Sequence, residues 1–154
     1  MSLKVGIVGY GVVGKTRHKA LDKHPDFSVA AISDVAFKDS PMHLEGIQSF
    51  IDYKDLIKSN LVDVLFISLP NKLASEATLR GLNQGLNVFC EKPPARSLSE
   101  LYPIKDYLYK NPNLKLMYGF NHRHHESIKM MKKLINSKKY GKILWMRGRY
   151  GKSV

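Results

Sequence analysis

The chain holds one cysteine, Cys90, so no disulfide can close within it and nothing points to an oxidising compartment. Long apolar runs are also missing: none approaches the roughly 20 residues that a membrane-spanning helix needs. Met1-Ser2-Leu3-Lys4 leads directly into an apolar stretch without the pattern of a secretory signal. The expectation is a cytoplasmic protein with no membrane partner. Acidic residues are scarce, 13 against 25 lysines and arginines, for a formal net charge of +12. Such a charge attracts anions, phosphates and nucleotides among them. The basic residues are dispersed, densest from Lys129 to Lys152, and no nucleic-acid-binding motif accompanies them. A solvated basic surface is therefore expected, and nucleic acid is not an expected partner. Internal repeats and low-complexity segments are absent.

What is present begins at Val5. Val5-Gly6-Ile7-Val8 is apolar or small throughout, as suits a strand buried on both faces of a parallel sheet. It runs into Gly9-Tyr10-Gly11-Val12-Val13-Gly14, the spacing G-x-G-x-x-G. At such a turn the first glycine lets the chain leave the strand sharply. The second allows a pyrophosphate to lie against the backbone, and the third lets the following helix pack close to the strand. The N–H groups and positive dipole end of that helix suit two phosphates. Asp34 lies at the end of a second apolar run, Phe27 to Ser33, where a carboxylate can accept hydrogen bonds from ribose hydroxyls. A carboxylate there also repels a 2′-phosphate, which favours NAD; nearby Lys38 leaves NADP open.

The rest of the chain alternates helix and strand patterns. Lys15 to Leu21 reads as a helix with a basic outer face, stopped near His24-Pro25. The segment from His43 to Gly46 reads as one short helical turn, Gln48 to Ile51 as a brief strand and Asp52 to Lys58 as a short helix. Val62 to Leu69 is a strand, followed by a helix from about Leu73 to Gln84 whose small stripe is Ala74, Ala77, Thr78, Gly81 and Leu82. Asn87 to Cys90 is the next strand. Ser97-Leu98-Ser99-Glu100 matches a capping box, although a helix starting at Ser99 would seat Pro103 nearer its first turn. Lys115 to Gly119 is a sixth strand, the stripe Ile128, Met131, Leu134 and Ile135 marks a helix, and Ile143 to Tyr150 reads as a final strand. This order predicts an α/β doubly wound parallel sheet, a Rossmann fold, over residues 1–122. Residues 123–154 read as a linking helix and the first strand of a second domain otherwise absent from the chain.

Three candidate constellations fall at strand C-termini, where open α/β sheets bind ligands. They are Gly9 to Gly14, Ser68-Leu69-Pro70-Asn71 and Glu91-Lys92-Pro93. With Phe89-Cys90 before the last and Gly119-Phe120-Asn121-His122-Arg123 beyond it, the pattern resembles the glucose–fructose oxidoreductase/inositol dehydrogenase/MocA family over nearly the whole chain. The resemblance implies an NAD(P)-dependent oxidoreductase acting on a sugar, nucleotide-sugar, cyclitol or related polyol. It implies that Glu91 and Lys92 sit beside the nicotinamide, with Lys92 reaching the reacting oxygen as the catalytic residue. An ammonium suits that place, because hydride transfer from a carbinol carbon leaves negative charge on oxygen. Pro70 and Asn71 would line the cofactor groove, and the family often has a cis bond before the proline corresponding to Pro93. Arg123 would meet substrate or cofactor, or tie loops together; the sequence leaves both open.

Two departures accompany the resemblance. Many members carry histidine three residues after the asparagine of the Pro-Asn pair, where this chain has Ala74. Members also build substrate recognition, a histidine near the reacting oxygen and oligomer contacts in a second domain. The expectation is thus a cofactor-binding half that turns over poorly alone, with homo-oligomer formation left open. The alternative is a non-catalytic dinucleotide-binding or regulatory module. The run His122-Arg123-His124-His125 reads as a polar loop and not as a metal site. Cys90, with no histidine beside it in sequence, reads as a small core residue.

Overall fold

The computed structural model describes residues 2–149 and 151. Six strands form one sheet: β1 (Leu3–Val8), β2 (Phe27–Ser33), β3 (Gln48–Phe50), β4 (Val64–Ile67), β5 (Asn87–Cys90) and β6 (Leu116–Tyr118). Their order is β3-β2-β1-β4-β5-β6. All five pairings are parallel, giving the doubly wound sheet that the alternating pattern predicts. The chain starts in the middle of this sheet, moves outward through β2 and β3, then returns beside β1 to begin β4. Between β1 and β4 the direction of travel reverses, and it is outside the strand C-termini at such a switch point that open α/β sheets bind ligands.

Helices connect the strands: α1 (Val12–Leu21), α2 (Tyr53–Lys58), α3 (Asn71–Asn83) and α4 (Tyr102–Lys110). The side-chain period of β1 divides the core. Val5 and Ile7 join Tyr10, Leu21, Ile32 and Phe37 on the face covered by α1. Val8 joins Leu56, Leu65, Ala77 and Leu82 on the opposite face. Helix α3 packs there through the small stripe read from the sequence, with Ser75 added to its buried side. Gly85, at φ +80°, ends that helix in the left-handed conformation that favours glycine.

Several local expectations are corrected. Helix α1 begins at Val12, inside the glycine motif, and not after it. The segment expected as a helical turn at His43 to Gly46 instead holds an isolated antiparallel bridge, Leu44 to Ile47. A short 3-10 turn, Val35–Lys38, follows β2, started by the Asp34 side chain accepting from the Ala36 N–H. The capping box at Ser97 does not form. Glu100 accepts from the Arg96 backbone and guanidinium and from Ser75 Oγ, and α4 begins at Tyr102 with Pro103 in its first turn. An arginine and a helix hydroxyl draw the carboxylate away from Ser97.

The chain divides into two compact units between Gly119 and Phe120. The second contains a 3-10 turn, Asn121–His124, and helix α5 (Glu126–Asn136). The final strand expected at Ile143 to Tyr150 is not formed over residues 143–149, and Tyr150 lies outside the described residues. An apolar run gives a strand only where a neighbour pairs its backbone, and among the described residues none does so. No helix among the described residues is long and apolar enough to cross a membrane.

Candidate functional site

Parallel pairing brings distant residues into one line. Ser33 pairs with Val8, Val8 with Ile67, Ile67 with Cys90, and Cys90 with Tyr118. The next residue along each strand is Asp34, Gly9, Ser68, Glu91 and Gly119. Backbone bonds fasten this line: Gly9 N–H to Ser33 O at 2.9 Å, Ser68 N–H to Val8 O at 2.7 Å, Glu91 N–H to Ile67 O at 2.9 Å, and Gly119 N–H to Cys90 O at 2.9 Å. Five segments separated by many residues thus begin from one row, along one edge of the sheet.

The three glycines of the first turn are required by different things. A Cβ on Gly9, at φ +86°, would lie 2.6 Å from Ser68 O, and one on Gly14 would lie 2.1 Å from Gly9 O. The fold itself therefore excludes side chains at both. A Cβ on Gly11 would meet nothing within 4 Å. Among the described residues no contact needs glycine at this position, so the open space over it is what a pyrophosphate would use. Gly11 is also the N-cap of α1 and brings no capping side chain, and no acidic residue occupies the first turn. A helix N-terminus of this kind can take an anion from outside the chain. Val12 and Val13 are exposed there.

Asp34 is held at the tip of β2. Its Oδ2 accepts from the Tyr10 N–H at 2.8 Å and its Oδ1 from the Ala36 N–H at 3.0 Å. Each oxygen keeps a lone pair for a ribose hydroxyl. The Tyr10 side chain turns away into the core against Phe37, and its hydroxyl meets His18 Nδ1 at 2.5 Å. Burial, with a smaller contribution from Asp22, raises the Tyr10 pKa above its ordinary value. Tyr10 therefore faces the groove through its backbone alone.

After β4, Leu69 packs against the core, Pro70 is the N-cap of α3, and Asn71 is its exposed first residue. Ala74 is buried in the core at 1% exposure, so this position offers the groove no side chain. After β5, Glu91 is half-buried, Lys92 is exposed, and the Lys92–Pro93 bond is cis. Cys90 is fully buried, and desolvation pushes its thiol up to about 11. Arg123 lies on the exposed 3-10 turn of the second unit. His122 and His125 rings lie 4.8 Å apart, and among the described residues no three His, Cys, Asp or Glu gather as metal ligands.

One residue escaped the sequence reading. Arg17, expected on an outward basic face, turns inward: its Nε donates to Glu91 Oε1 at 2.6 Å, and its Nη2 donates to the same oxygen. Its guanidinium lies over the Phe89 ring, 5.1 Å from the centroid. The only available signal was the placement of a basic residue three positions after Gly14, one turn into α1.

An open parallel sheet of this strand order, with a glycine turn at its switch point and an acidic tip on β2, defines a dinucleotide-binding domain. The chain belongs to the oxidoreductase family with an NAD-binding Rossmann fold, GFO_IDH_MocA, whose model matches residues 3–120. Inositol 2-dehydrogenase of Salmonella typhimurium is 28% identical over 155 aligned residues, covering 97% of this chain and 46% of that protein. Levoglucosan dehydrogenase of Pseudarthrobacter phenanthrenivorans is 28% identical, covering 97% of this chain and 41% of that protein. Scyllo-inositol dehydrogenase from Lactobacillus casei, solved with NAD(H) and scyllo-inositol, superposes with a TM-score of 0.81 at 28% identity, covering 92% of this chain and 43% of that one. The chain thus spans less than half the length of these relatives.

Proposed function

We propose that this chain is the cofactor-binding half of a dehydrogenase that acts between a hydroxyl and a keto carbon of a sugar, nucleotide-sugar or cyclitol. The observation that carries the reading is the open space over Gly11, beside an uncapped helix N-terminus, in a fold that uses Gly9 and Gly14 for itself. Backbone N–H groups from Gly11 to Gly14 would hold the pyrophosphate, and Asp34 the ribose of the adenosine half. Ser68 to Asn71 would line the groove, and Glu91 and Lys92 would stand at its nicotinamide end. The cofactor, when bound, supplies or accepts the hydride. Lys92, exposed on a turn fixed by β5, would hydrogen-bond the reacting oxygen and stabilise negative charge there. A polyol substrate agrees with relatives named for inositol and levoglucosan. A cytoplasmic location and association into a homo-oligomer belong to the same proposal, as does a role for Arg123 at the substrate or cofactor.

Calorimetric titration with NADH and NADPH at one salt concentration tests the reading. The expected result is tighter binding of NADH, with the preference lost in Asp34→Ala. A chain that binds neither cofactor refutes it. Oxidation of inositol or levoglucosan, followed by NADH formation, then separates a catalytic half from a non-catalytic module. In an active preparation, Lys92→Met is expected to abolish turnover while leaving NADH affinity within about threefold.

A further inference from the structure

We infer that Arg17 is a positioning residue that neutralises Glu91 at the nicotinamide end of the groove, and so sets the balance between oxidised and reduced cofactor. The inference rests on the dinucleotide reading above. Glu91 follows Cys90 in the row that also leads to Gly9 and Ser68. Its side chain is only 12% exposed and is fixed from two sides. On one side Oε1 takes both Nε and Nη2 of Arg17. On the other, Gly119 leaves room for the carboxylate: a Cβ there would lie 2.8 Å from Oε2.

Arg17 is fixed in turn. Its guanidinium rests on Phe89, which stacks on Phe66 with centroids 4.8 Å apart. Helix α1, which carries it, is held close to β1 by the contact of Gly14 with Gly9 O. The pair is therefore built from α1, β5 and β6 and does not depend on an exposed, mobile side chain.

The nicotinamide ring is a cation when oxidised and neutral when reduced. A carboxylate without its arginine favours the oxidised ring, and a guanidinium without its carboxylate opposes it. A closed pair treats the two nearly alike. Arg17→Met and Glu91→Gln should therefore move the ratio of NAD⁺ to NADH affinity in opposite directions. A purely structural role for the pair would weaken both cofactors together.

The test is calorimetric titration of the 154-residue chain with NAD⁺ and with NADH. The variants are Arg17→Met, Glu91→Gln, the double variant and Arg17→Lys. Arg17→Met is expected to shift the ratio about tenfold toward NAD⁺, or about 1.4 kcal/mol, and Glu91→Gln about tenfold toward NADH. The double variant and Arg17→Lys should stay within about threefold of the wild-type ratio. If Arg17→Met does not fold, as read by circular dichroism, Glu91→Gln decides by its direction alone. Wild-type binding with ratios that do not move, or move the same way in both single variants, overturns the inference and leaves the cofactor reading standing. Absence of wild-type binding to either cofactor overturns both.

Discussion

Replacing Gly11 by alanine should separate what the fold needs from what the ligand needs. A Cβ at Gly11 meets no atom of the described residues within 4 Å. Its φ of −73° is one that alanine adopts readily. Alanine is a poorer N-cap than glycine by up to about 1 kcal/mol, while the stiffer unfolded chain returns about 0.4–1 kcal/mol. These offset, and the melting temperature should stay within about 3 °C of wild type. Gly14→Ala is the contrast, because its Cβ would stand 2.1 Å from Gly9 O, a backbone atom. Relieving that overlap costs about 1–3 kcal/mol or more, which lowers the melting temperature by roughly 2–12 °C in a chain of this size. In Gly11→Ala the same Cβ occupies the space assigned to pyrophosphate. An overlap of about 1–3 kcal/mol there weakens NADH by roughly fivefold to 150-fold. Differential scanning calorimetry and titration with NADH read the two quantities separately. A Gly11→Ala chain that melts normally and binds NADH as tightly as wild type would refute the reasoning.

Other expectations follow from single contacts. Asp34→Ala removes the acceptor of the Tyr10 N–H as well as the carboxylate proposed to hold the ribose, so it should cost about 1 kcal/mol of stability while narrowing the preference for NADH over NADPH in titration. Leu82→Ala, at a fully buried position, should cost about 2–5 kcal/mol by urea unfolding. The Cys90 thiol, raised from 9.0 to about 11 by burial, keeps its proton in the folded chain when an exposed thiol has lost it. Its contribution is complete below pH 9 and falls as pH rises toward about 11. Denaturant unfolding across that range should show stability declining with pH, less steeply in Cys90→Ala. Tyr118, raised from 10.0 to about 12 chiefly by burial, adds a decline in the same direction at higher pH.

The sequence by itself determined the elements and their hand. Apolar runs of strand length up to Tyr118, a three-glycine turn and helices with small or apolar stripes are local signals, and these formed close to where they were read. The parallel sheet follows from their alternation, since a strand–helix–strand unit returns in one direction. Asp34 and the glycines were legible because the relevant spacing lies within one such unit. Local pattern failed where a tertiary partner decides. The apolar run that opens 143–149 makes no strand without a paired neighbour, and the capping box at Ser97 lost its Glu100 to Arg96 and Ser75, the latter on α3. Arg17 reads as one more surface cation along a helix. Only the crossing of α1 over the end of β5 brings it to Glu91, 74 residues away in sequence. The register of the sheet likewise places Ser33, Val8, Ile67, Cys90 and Tyr118 in one row, and no single segment carries that information. Periodicity records which face of an element is buried. Which residues from different elements meet is fixed when the strands pair and the helices close over them.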